Sequence, residues 1–105
     1  MNKKVVDGKV GVVISPGYGA GWSTWESDNE TKESLLFDSV IVDYISQEDW
    51  DSLDKYVDES YPNVYTGGMN TLKVVWLDIG TQFRVHEYDG YESIVLLDQE
   101  ERYIA

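Results

Sequence analysis

Cysteine is absent from the sequence, and histidine occurs once, proline twice and arginine twice. Without cysteine there is no thiol nucleophile, no cysteine-ligated zinc and no disulfide. The lack of disulfides fits a reducing cytosol. A serine triad would have to use His86, yet no G-x-S-x-G elbow is present. No D-x-D-x-D-G calcium loop occurs, and no run nears the ~18–20 apolar residues of a membrane span. The opening MNKKVVDGKVGVV has neither a long apolar h-region nor a small-residue cleavage site, so no secretory signal is expected. No enzymatic activity, metal or cofactor is expected.

What is abundant is negative charge. Twenty Asp and Glu oppose eight Lys and Arg, for a net charge of −12. Such a chain repels phosphate backbones, so direct nucleic-acid binding is not expected. Two readings of the acidity remain: a solvated surface that aids solubility, and a decoy that imitates nucleic acid and fills a basic groove. An aromatic content of 13% opposes disorder, and 105 residues suit one domain.

The patterning predicts an α+β fold: a mostly antiparallel sheet, made of a C-terminal meander plus an N-terminal strand, with two helices packed on one face. Lys9–Ser15 (KVGVVIS) reads as the N-terminal strand. Glu26–Glu33 is polar and unpatterned and reads as a mobile loop. Asp38 is placed to cap a helix over about 39–45, with Ile41, Tyr44 and Ile45 on one face. Ser46 is placed to cap a second helix ending near Ser60, buried through Trp50, Leu53 and Val57, with Glu48, Asp51, Asp54, Asp58 and Glu59 mostly outside that stripe. Leu72–Asp78, Gln82–Tyr88 and Tyr91–Leu97 read as three meander strands, with Asp89-Gly90 as a type I′ turn, and Arg102–Ile104 as a short last strand.

The candidate site follows the first strand. Gly17, Gly19 and Gly21 alternate with Tyr18 and precede Trp22 and Trp25. Glycines allow backbone N–H groups to approach an anion closely, and the rings offer stacking surfaces. The alternatives are a turn of unusual geometry and tryptophans that simply fill the core. The segment lacks the lysine and spacing of a P-loop. Arg84, on a strand face with His86 and Tyr88, is the best bidentate cation for an anionic ligand, or pairs with a neighbouring carboxylate. His86 reads as a surface histidine unless it joins that site.

Two segments, ISPGYGAGWSTW (Ile14–Trp25) and FRVHEYDGYES (Phe83–Ser93), together with LLFDSVIVDYI, resemble small acidic proteins of bacteriophages and prophages. The resemblance implies counter-defence activity in the host bacterial cytoplasm. One such class, the Thoeris anti-defence sponges, sequesters nucleotide immune signals without cleaving them. On that analogy the ligand is a nucleotide-like small molecule held by Gly17, Tyr18, Gly19, Gly21, Trp22, Trp25, Arg84 and His86. Tight capture requires enclosure, which pockets between subunits of a homo-oligomer would supply. The alternatives are a nucleic-acid-mimicking inhibitor of a host defence protein and a structural phage protein with no ligand.

Overall fold

The computed structural model describes residues 3–17, 21–64 and 71–97. Two Asp-Gly pairs organise its strands. Asp7 and Gly8 have φ of 52° and 76°, and Asp89 and Gly90 have 51° and 87°. Two successive positive φ values give the type I′ turn, whose twist matches that of a hairpin, and glycine enters this region without strain. The first turn joins β1 (Val5–Val6) to β2 (Lys9–Ile14). The second joins β4 (Phe83–Tyr88) to β5 (Tyr91–Leu96), with Tyr88 opposite Tyr91. Only the second was expected, because the outer arm of the first is two residues long.

β3 (Lys73–Asp78) runs antiparallel to β2, from Lys9 opposite Asp78 to Ile14 opposite Lys73. The described strands therefore form a three-stranded sheet in the order β1-β2-β3 and a separate β4–β5 ribbon. This corrects the expected meander: β3 does not form a hairpin with β4. Beyond Asp78 the Ile79 N–H bonds the Gly8 carbonyl at 3.1 Å, and Thr81 N–H turns back on Asp78 at 3.0 Å. The end of β3 is thus tied to the β1–β2 turn. Arg102–Ile104 lies outside the described residues.

Local capping explains the helices. The Asp28 carboxylate accepts from Thr31 N–H and starts α1 (Asn29–Phe37). The loop expected over Glu26–Glu33 is therefore corrected to a cap and half a helix. Its apolar residues, Leu35, Leu36 and Phe37, gather in the last turn, so no 3.6-residue period marks it. Asp38 caps α2 (Ser39–Ser46) as expected, and Ile41, Val42 and Ile45 are buried. Ser46 does not cap α3. It closes α2, its Oγ donating to the Val42 carbonyl, and Asp49 caps α3 (Trp50–Ser60) by accepting from Ser52 N–H. Leu53 and Val57 are buried, with Trp50 packed beside them.

Both faces of the sheet are covered, which corrects the expectation of two helices on one face. Val42 of α2 meets Gly11 and Val74 on one face. On the other, Phe37 of α1 and Phe83 of β4 surround Val10, Val12 and Leu77, the two rings meeting edge to face at 6.0 Å. Residues of both parities in β2 are consequently buried, Val12 and Val13 alike.

One polar group ties the helices together. The buried Asp38 carboxylate accepts from Val40 N–H at 2.9 Å, from the Tyr56 hydroxyl at 2.6 Å and from the Tyr61 hydroxyl at 2.7 Å. The cap of α2 is thereby bonded to α3 and to the residue that ends it. Burial, reinforced by the Asp38 carboxylate, pushes the Tyr56 phenol up from 10.0 to about 12, and Tyr61 is raised by the same causes. Unfolding returns each phenol to its ordinary value, so the unfolded chain loses these protons first and stability falls as pH rises from 10.0 towards about 12. Y56F is expected to cost ~1.5–3 kcal/mol at pH 7 and to flatten that alkaline loss. Urea midpoints of parent and variant, measured across this range, check both outcomes.

Candidate binding site

β2 ends at Ile14, and the glycine segment that follows returns at Gly21 into a 3-10 turn, Ser23–Trp25. Backbone donors on either side of that segment converge on one side chain. Glu92, in β5, is fully buried. Its Oε1 accepts from Ser15 N–H at 3.0 Å, and its Oε2 from Trp22 N–H at 2.8 Å, Thr24 N–H at 3.1 Å and the Thr24 hydroxyl. The Glu92 N–H in turn donates to the Ser15 carbonyl at 2.9 Å. Three amides and a hydroxyl surround this carboxylate with no cation among them. Such a concavity of N–H groups is the kind that binds anions, and here an internal anion fills it. Hydrogen bonds in this number offset the cost of removing a carboxylate from water.

The residues proposed from the sequence separate into two places. Gly21 and Trp22 lie at the Glu92 cluster. Trp22 is 3% exposed and its indole N–H donates to the Leu35 carbonyl at 2.9 Å. The ring belongs to the core, which corrects its assignment as a stacking wall. Gly21 is required for close approach, because a Cβ there would collide with the Trp25 indole. Gly17 is half-buried beside Thr71. Trp25 is 44% exposed. Tyr18 and Gly19 lie outside the described residues. Arg84 and His86 are elsewhere. They stand opposite Val95 and Ser93, on the ribbon face that strand alternation sets against that of Glu92.

Glu92 itself was missed in the sequence. Its signal was a misplaced charge: it shares a strand face with Ile94 and Leu96, where an apolar residue is the rule. Among the described residues no cluster of three His, Cys, Asp or Glu could hold a metal, and no helix is long and apolar enough to cross a membrane. Comparison with protein-family models, curated proteins and solved structures gives no match.

Replacing Glu92 by Gln keeps the shape but turns an amide donor towards Trp22 or Ser15 N–H. The expected cost is about 3 kcal/mol or more, since a charged acceptor is lost and a buried donor is stranded. Urea denaturation reads this cost, and faster hydrogen exchange at the Trp22 and Thr24 amides locates it.

Proposed function

We propose that this chain is an inhibitory binding protein whose acidic surface engages the basic groove of a nucleic-acid-binding protein. The carrying observation is the solvent face of α3. Asp51, Asp54, Asp58 and Glu59 are exposed, and the first three fall within an arc of about 60° at 100° per residue. Their axial steps of about 4.5 and 6 Å are wider than the ~3.4 Å axial charge step along one strand of a duplex, but they keep the like charges in one row. Lys55 is the one basic residue of that helix. None of the four carboxylates forms an ion pair among the described residues. The resemblance to small acidic phage proteins supplies the context, in which the partner is a defence nuclease or a restriction enzyme of the host.

Sequestration of a nucleotide-like signal is the second reading, and it has less to rest on. The N–H groups that flank the glycine segment, those of Ser15, Trp22 and Thr24, are bonded to Glu92, Trp22 is in the core, and Arg84 and His86 are on the ribbon face opposite that of Glu92. Native mass spectrometry after incubation with an extract of defence-activated cells tests it: a retained small molecule would restore this reading.

The inhibitor reading is tested with the triple variant D51N/D54N/D58N. These positions face solvent, so folding should change by no more than ~1 kcal/mol. Binding should weaken by about 1–3 kcal/mol, at ~0.2–1 kcal/mol for each exposed charge contact. The immobilised parent should retain a protein from bacterial lysate that both 0.5 M salt (roughly a 4–5 Å Debye length) and added double-stranded DNA release. Retention that is indifferent to DNA, or equal in the variant, overturns the proposal.

A further inference from the structure

Two hollows open side by side between the 3-10 turn and the C-terminal end of α3. One, of about 210 Å³, is lined by Trp22, Trp25, Glu26, Ser27, Asn63 and Val64. The other, of about 230 Å³, shares Glu26, Asn63 and Val64 and adds Asp28 and Tyr61. Each is smaller than the ~300 Å³ at which pockets for drug-sized ligands begin, so the first suits one side-chain head group. Its walls include an exposed indole and a carboxylate, and among the described residues no lysine or arginine lines either hollow. Glu26 Oε1 accepts from Ser27 N–H at 3.0 Å and Asp28 N–H at 3.2 Å, which holds the carboxylate at the rim. Gly21 lies against the pyrrole ring of Trp25, and the residue is 44% exposed. Asp28 adds a second negative charge, its carboxyl held below the usual range by the Thr31 hydroxyl and N–H.

An aromatic surface beside carboxylates repels phosphate and attracts a cation. A planar guanidinium can stack on the indole while its N–H fork reaches a carboxylate, which a spherical ammonium does less well. We propose that the hollow beside Trp25 receives an arginine side chain of the basic protein partner, stacked on Trp25 and paired with Glu26. This rests on the inhibitor reading for the partner's identity and supplies what the α3 face lacks: a shaped contact rather than a field of charge.

The test titrates the isotopically labelled protein with N-acetyl-arginine amide and, separately, with its neutral isostere N-acetyl-citrulline amide, followed by amide and indole N–H spectra. Arginine should shift Trp25 Nε1–H, Ser27 and Asn63, and citrulline should not. E26Q keeps an oxygen for the Ser27 and Asp28 amides, so it should fold as the parent does and bind arginine ~3–10-fold more weakly. W25L should weaken binding to a similar degree. The D51N/D54N/D58N variant should bind arginine as the parent does. Equal shifts with citrulline, shifts confined to α3, no shifts at all, or an E26Q variant that binds undiminished would overturn the proposal. The two readings fail separately. Shifts at Trp25 from a chain that retains no DNA-released protein would sink the inhibitor reading alone. A silent hollow in a chain that retains such a protein through α3 would sink this inference alone.

Discussion

Glu92 is a buried carboxylate held by three amides and a hydroxyl, and the parts of the fold meet on it. Ser15, where the central strand stops, Trp22, where the core closes over α1, and Thr24, in the 3-10 turn, all donate to its two oxygens. The β4–β5 ribbon is thereby joined to the end of the central strand by side-chain bonds and by a backbone bond from Glu92 N–H to the Ser15 carbonyl. An ordinary ladder would fix one direction only. A carboxylate that accepts from residues on both sides of the glycine segment fixes where that segment begins and where it ends. The arrangement is what a phosphate-binding loop achieves with its ligand, and here the chain supplies the anion itself.

Asp38 plays a similar part on the helical side, accepting from one amide and two tyrosine hydroxyls. The chain has twenty acidic residues; among the described ones, two buried carboxylates are bonded inward and most of the others face water. The inward pair specifies geometry, because a buried acceptor must meet its donors. The outward set creates the negative field on which the binding proposals depend.

Much of the architecture was legible in the residues. The Asp89-Gly90 turn, the strands flanking it, the Asp38 cap and the Leu53–Val57 stripe all follow from local chemistry, and the structure contains each of them. Strand pairing was not legible, because the choice between β2 and β4 as the partner of β3 is made by contacts far apart in sequence. α1 was hidden because its apolar residues cluster at one end. The site was legible only in part. Three alternating glycines marked a segment with donors to offer, but the acceptor stood 70 residues beyond Trp22, on a strand where any of several carboxylates could have pointed inward. Whether Trp22 was wall or core could not be read from spacing, because both roles ask for the same large ring.

The strand order also sets a timetable for a chain that emerges from the ribosome. β2 receives β3 only when residues 73–78 have been made, about sixty positions after their partners. At a synthesis rate of ~5–20 residues per second, its apolar backbone waits several seconds for that neighbour. The Asp7-Gly8 turn needs no such wait, since hairpins close in ~1–10 μs. The two residues of β1 therefore cover the Lys9–Val10 end of one edge of β2 almost as soon as it exists, with Lys3 and Lys4 just before them. A strand too short to add much to the finished sheet thus covers, during synthesis, the start of the edge opposite the one that waits for β3, and leaves less of β2 open to pairing with a neighbouring chain.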